Sequence, residues 1–265
     1  MSLSDLTTTK FSKSLPWLAG GQEFPLPEHA WGADDPVPGL LAAGETLDVA
    51  TLVRAYSNGI FPWFSQDQPV LWWSPDPRMV LSVRDFKLHR SLRKAVVRFA
   101  KDPQCEIRLD SAFERVIAAC AGKPRLGQSG TWIMPSMQLA YVELHRRGHA
   151  HSVETWINGE LAGGLYCVNL GAMVFGESMF AHQTDASKIA LAALVAFCRA
   201  SGIEMIDCQQ NTSHLASLGA GEISRSKFSD HLRRHVAQPA PRWQFDSLLW
   251  NQIFIPIPAT GSKIP

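Results

Sequence analysis

The sequence predicts a mixed α/β protein, with a small β-containing unit ahead of a larger one built on a largely antiparallel sheet. Three observations predict it. Residues 149–168, HAHSVETWINGELAGGLYCV, read as two strands joined at Asn158-Gly159, the strongest short hairpin signal. AMVFGESMF (172–180) follows at once as a third strand after a turn at Gly171, so neighbouring strands run antiparallel. Residues 22–80 have another texture, rich in Pro and Gly with short apolar runs, which suits a small unit with many turns.

The remaining elements follow in order. Asp48 can cap a helix over VATLVRAYSNG, closed by Gly59. The stretch GIFPWFSQDQPVLWWSPDPR (59–78) holds four prolines and three tryptophans (Trp63, Trp72, Trp73). Its prolines rule out a regular helix and leave little room for a central strand. Residues 84–101 read as a helix with Leu88, Leu92, Val96 and Phe99 on one face. Asp110 is placed to cap a helix through Cys120, and Pro135 to open another with Met137, Ala140, Tyr141 and Leu144 on one side. A helix opened near Asp185 or Ser187, a strand at EMIDCQ and a helix over Lys227–Val236 complete the pattern. The expected boundaries are residues 1–20 partly disordered, 21–83 the small unit and 84–265 the larger one.

Composition narrows the function classes. The chain is 265 residues long, 46% hydrophobic and 18% charged, which is ordinary for a globular protein. Its longest apolar run, Ile189 to Cys198, is ten residues, a buried helix and too short for a membrane span. The N-terminal twenty residues have no apolar core of the kind a secretory leader needs, and five cysteines form no CxxC pair. A cytoplasmic monomer with reduced thiols and no membrane association is therefore expected. No recognised metal-ligand spacing appears, so no metal is expected.

The net charge of +1 conceals an asymmetry. Residues 84–101 carry seven Lys/Arg against one Asp, a local +6 that leaves −5 for the rest of the chain. Arg84, Lys87, Arg90, Lys94, Arg98 and Lys101 recur every three or four residues, with Arg93 beside them, which suits phosphate binding. Trp63, Trp72, Trp73, Trp132 and Tyr141 form an aromatic set; alone each reads as core, and together beside a basic helix they suggest stacking on nucleobases. Glu177 in VFGESMF and Asp207 with Gln209 in MIDCQ lie in apolar strands, where a carboxylate is costly unless paired. Strand alternation puts Asp207 and Gln209 on one face, as a structural hydrogen-bonded pair or as part of a site.

Several strings together resemble one family. GLLAAGETL (39–47), YSNGIFPWFS (56–65), LWWSPDPR (71–78), GTWI (130–133), GHAHSVE (148–154), VFGESMF (174–180), IDCQ (206–209) and HLASLGA (214–220) closely resemble the leucyl/phenylalanyl-tRNA–protein transferases, in order from about residue 36 to 230. The resemblance implies an enzyme that moves Leu or Phe, and sometimes Met, from aminoacyl-tRNA to the α-amine of proteins beginning with Arg or Lys, marking them for degradation. It implies a larger domain of the acyl-CoA N-acyltransferase fold, although the sequence lacks that fold's pyrophosphate-binding loop. By position, it implies a catalytic group of Asp207, Gln209 and Glu177, with Gln209's amide held by Asp207 and the proton relayed by Asp207 or Glu177. It implies an aminoacyl pocket of Leu165, Val174, Met179, Leu191, Leu194 and Ile206, with Leu165 and Val174 where relatives carry Met and Phe. Trp132 and Tyr141 would meet the terminal adenosine, the basic segment the acceptor stem, and Trp63 with Glu177 the acceptor's N-terminal cation. Trp72 and Trp73 would pack the domain junction. Amine attack on an aminoacyl ester is downhill, so no cofactor is expected. A CoA-linked or non-catalytic RNA-binding relative on the same fold is the alternative, and a Trp-platform sugar-binding protein ranks below both.

Overall fold

The computed structural model describes residues 14–122 and 133–254. In its smaller sheet β1 (Trp17–Leu18) runs parallel to β2 (Leu40–Gly44). β4 (Leu71–Trp73) is central, antiparallel to β2 on one side and to β3 (Phe61–Pro62) on the other. A proline-free run of three residues is enough for that central strand, and Pro62 falls on the edge strand, where no ladder donor is missed. Between β2 and β3 lies α1 (Val49–Ser57). Asp48 caps it, accepting from the Thr51 amide at 2.8 Å, and Gly59 turns the chain away at φ 73°.

The larger sheet has seven strands. In chain order its elements are β5 (Arg78–Ser82), α2 (Arg90–Lys101), β6 (Cys105–Leu109), α3 (Phe113–Ala121), α4 (Pro135–Arg146), β7 (Ala150–Ile157) and β8 (Glu160–Leu170). Then come β9 (Met173–Ala181), α5 (Ala186–Ala200), β10 (Met205–Gln209), α6 (Ser213–Ser217), β11 (Gly221–Ile223), α7 (Arg225–His235) and α8 (Asn251–Phe254). The strand order is β11-β5-β10-β9-β8-β7-β6, and every neighbouring pair is antiparallel except β9 with β10. The hairpin turns at Asn158-Gly159, both at positive φ, as the type I′ geometry requires.

Alternate side chains divide the sheet between two layers. On β8, Leu165 and Cys167 face α5 and α2, while Tyr166 and Val168 face α1, α3 and α4. α5 buries every residue from Ile189 to Cys198, as its unbroken apolar run predicted. Met137, Ala140, Tyr141 and Leu144 are the buried face of α4, also as expected. The core on the α1 side is continuous with that of the small sheet: Trp72, Tyr56, Phe175 and Tyr141 belong to one cluster. Trp72 donates to the Gly44 carbonyl and Trp73 to that of Trp63, so both are spent on packing at the junction.

Four expectations are corrected. β5, assigned to the small unit by a boundary at 83/84, pairs with β10 and β11 and belongs to the larger sheet. Trp17 and Leu18 are a strand, which narrows the segment of residues 1–20 expected to be partly disordered; residues 1–13 lie outside those described. The basic helix starts at Arg90, because the Lys87 amide bonds to the Leu218 carbonyl and not within a helical turn, so Arg84 and Lys87 precede it. Asp110 does not cap α3. It sits at φ 58°, accepts from the Ser152 amide and meets His151, and it is Glu154 that accepts from the Ala112 amide at the helix start.

Candidate active site

β9 and β10 pair only at Val174 with Ile206 and at Phe175 with Asp207; beyond that they part. At the fork each strand carries a bulge. On β9, Tyr166 pairs with Ser178 and Cys167 with Gly176, so Glu177 is the extra residue. On β10, the register shifts between Asp207 and Gln209, and Gln209 takes a left-handed backbone at φ 63°. A bulge re-aims side chains that strict alternation would send elsewhere. Here both turn towards one cavity of about 490 Å³ beneath the fork, within the range that holds small ligands.

The cavity is apolar along its walls and polar at the fork. Leu165, Met179, Leu191, Leu194 and Ile206, five of the six residues expected to form an aminoacyl pocket, line it. Val174 does not. It is wholly buried one residue further back, packed against α5 and α2 behind the wall. Trp63 and Phe61 form the side contributed by the small unit.

The polar groups divide into two sets. Arg78 and Asp207, both 0% exposed, form a bidentate pair, Nε to Oδ1 at 2.8 Å and Nη2 to Oδ2 at 2.7 Å. Arg78 also donates to the Gly59 carbonyl and is sandwiched between the rings of Phe61 and Phe228. Asp207 accepts the Gln209 amide N–H as well, which fixes the bulge. Its carboxylate is thus consumed by structure and does not reach the cavity, contrary to the proton-relay role expected of it.

The second set centres on Glu177. Its Oε1 accepts from the Gln209 side-chain amide at 2.9 Å and from the Tyr56 hydroxyl at 2.7 Å. Tyr141 stands behind, its hydroxyl 2.5 Å from that of Tyr56 and 3.5 Å from Glu177 Oε2. Gln209's amide is therefore oriented by Glu177 and not, as expected, by Asp207. Tyr141 is fully buried and offers no face to a base, so the expected stacking role is not available to it in this structure. Trp132 lies outside the described residues.

Electrostatics single out Glu177. It is half-buried, opening onto the cavity, yet protein crowds it on the other sides. That burial, with the Asp207 charge added, pushes its carboxyl up to about 8, against the pull of the Tyr56 and Gln209 hydrogen bonds and of Arg78. Burial likewise drives the Tyr56 and Tyr141 hydroxyls well above the usual phenol range, so both stay protonated donors. At neutral pH the carboxyl is mostly the acid. With Oε1 occupied by two donors, Oε2 is the oxygen with capacity to carry the exchangeable proton.

Sequence reasoning missed Arg78 and Tyr56. Arg78 is the last residue of WWSPDPR, where its role hangs on a partner 129 positions away. Tyr56 reads as the apolar face of α1 until Glu177 appears beside it.

An apolar cavity with a buried carboxyl and a carboxamide at the fork of the sheet has the makings of an enzyme site. Comparison with known proteins names the kind. Residues 80–233 match the model of the leucyl/phenylalanyl-tRNA protein transferases and residues 45–76 that of their N-terminal domain. The chain is 68% identical to the leucyl/phenylalanyl-tRNA–protein transferase of Polaromonas sp. (strain JS666) over 92% of its length and 96% of the relative's. It is 63% identical to that of Albidiferax ferrireducens over 91% and 95%. The structure of L-PGS from Bacillus licheniformis aligns with 80% of this chain and 70% of its own at 10% identity and a TM-score of 0.37, too low to bear on the fold. This chain belongs to the leucyl/phenylalanyl-tRNA–protein transferase family, and it is an aminoacyltransferase with an aminoacyl-tRNA as donor and a protein as acceptor. No helix among the described residues is long and apolar enough to cross a membrane.

Proposed function

We propose that the enzyme transfers Leu or Phe, and also Met, from its tRNA to the α-amine of proteins beginning with Arg or Lys, with Glu177 moving the proton. It works as a cytoplasmic monomer and marks its acceptors for degradation. The observation that supports the chemistry is the Glu177 carboxyl, set near 8 at the end of an apolar cavity. A protein α-amine has a pKa of about 7.7–8.0, so proton exchange between the two is nearly balanced. The amine nitrogen attacks the ester carbonyl, forming C–N and breaking C–O. Glu177 gives its proton to the departing ribose oxygen and takes one from the attacking nitrogen, so the site returns to its starting state. Gln209, a carboxamide, orients and does not titrate. Much of the rate comes from holding amine and ester together, worth on the order of 7–11 kcal/mol.

Recognition follows from ordinary forces. The apolar walls favour Leu, Phe and Met and reject charged aminoacyl groups through desolvation. A mostly protonated Glu177 is a weak partner for an acceptor's Arg or Lys side chain, which favours the Trp63 ring face for that cation. Arg84, Lys87, Arg90, Arg93, Lys94 and Arg98 are exposed, and three of them crowd the positive end of α2, whose first turn carries no acid. That surface suits the phosphates of the acceptor stem. Reversing Arg90, Lys94 and Arg98 to Glu should weaken tRNA binding and flatten its salt dependence, as measured by filter binding across a salt series. Unchanged slopes would remove α2 from the interface.

The direct test is transfer of labelled Phe from Phe-tRNA to a peptide beginning with Arg, beside Ala-initiated peptide and acetyl-CoA controls. Product on the Arg peptide alone is expected. Trp63→Ala should then raise the peptide KM and leave tRNA affinity unchanged. Equal use of both peptides sinks the acceptor assignment.

A further inference from the structure

Away from the cavity, one group of side chains has no role in transfer. Among the described residues, Glu204, His231 and His235 bring one ligand atom each within 4.8 Å of one another. His231 and His235 are four residues apart on α7 and so share a face, with their rings stacked 3.9 Å between centroids. Glu204 comes from the loop entering β10, and its Oε2 lies 3.9 Å from His235 Nε2.

Two features distinguish this group from a chance cluster. His231 is only 6% exposed, yet its Nε2 is buried with no hydrogen-bond partner among the described residues, a costly state for a polar nitrogen. Stacking on His235 does not relieve it, because the stack uses the ring face and not the nitrogen. Secondly, His235 Nδ1 is bonded at 2.7 Å to the His231 carbonyl. A carbonyl can only accept, so the proton sits on Nδ1 and the lone pair is left on Nε2, the orientation that a ligating imidazole takes from its outer partner.

We infer that Glu204, His231 and His235 form a binding site for a first-row divalent cation such as zinc, which ties α7 to the start of β10. Two imidazoles and one carboxylate are a zinc-type set, leaving a fourth position for water. Tetrahedral zinc places its ligand atoms about 3.3 Å apart, so the group closes slightly on binding, and the exposed Glu204 side chain is free to swing. The consequence is mechanical. Phe228 on α7 packs on Arg78, and β10 carries Asp207, so a clamp between these elements braces the buried pair beside the active site.

The test titrates zinc into the full chain, carrying no affinity tag and stripped by chelator, with calorimetry and thermal melting as readouts. One zinc per chain and a Tm that rises with zinc are expected. Glu204→Gln and His235→Gln, at partly or fully exposed positions, should melt like wild type without metal. Each should bind zinc at least about tenfold more weakly, with the Tm rise lost. Wild type and variants binding alike, through other histidines or cysteines, overturns the proposal, and so does a wild type whose Tm does not respond.

Discussion

Replacing Glu177 with Gln is expected to slow aminoacyl transfer by about 10²–10⁴-fold while leaving tRNA affinity within error of wild type. Gln preserves the acceptor oxygen that meets Tyr56 and Gln209 but has no proton to give at neutral pH. The same substitution has an opposite effect on stability, and its sign is fixed by the raised pKa. In the unfolded chain Glu177 ionises near 4.5; in the folded protein it stays protonated to about 8. Between these values the folded state holds the extra proton, so wild-type stability declines across pH 4.5–8. The Gln variant does not titrate and should gain on wild type through that window, melting higher at pH 8 than wild type. Single-turnover transfer and melting at pH 5, 6.5 and 8 measure both. A slow variant with no relative gain in stability would remove the buried-acid explanation, and a fast one would remove the catalytic role.

Breaking the Arg78–Asp207 pair is expected to give the largest loss of stability at any single position. Asp207→Asn leaves the Arg78 guanidinium buried with no counter-charge, which costs about 3–5 kcal/mol, or a Tm lower by roughly 10 °C. Turnover should fall in proportion to the folded fraction, since the Asn side chain keeps the oxygen that accepts from the Gln209 backbone N–H and instead sets its own NH2 against the Arg78 Nη2 donor. The double change Arg78→Met with Asp207→Leu distinguishes this from chemistry, since removing both charges restores most of the stability. A single Asn variant that melts like wild type yet is inactive would return Asp207 to the catalytic group.

These two cases also mark how far the sequence could be read. Local signals served well where the deciding contacts were near in sequence. Asp48 as a cap, the Asn158-Gly159 hairpin and the inward faces of α4 and α5 depend on neighbours within a few residues. Asp110 looked equally good as a cap, yet its left-handed backbone and His151, 41 positions away, took its side chain elsewhere. The candidate site fared similarly. Glu177, Asp207 and Gln209 stood out as polar groups within apolar strands, while the apolar wall came only with the family resemblance. Their partners were not, because strand alternation places Gln209 beside Asp207 and only the two bulges turn it to Glu177. Tyr56 and Arg78 meet the site across 121 and 129 residues, a distance at which no periodicity speaks.

The shared core beneath α1 has a consequence for how the enzyme comes into being. The two family models break the chain between residues 76 and 80. The hydroxyl that steadies Glu177 nevertheless comes from Tyr56, on the far side of that break, and the apolar wall is completed by Trp63. Neither half alone supplies the whole lining of the cavity. The cavity is thus a property of the packed whole, shaped by the same shared core that joins the two parts.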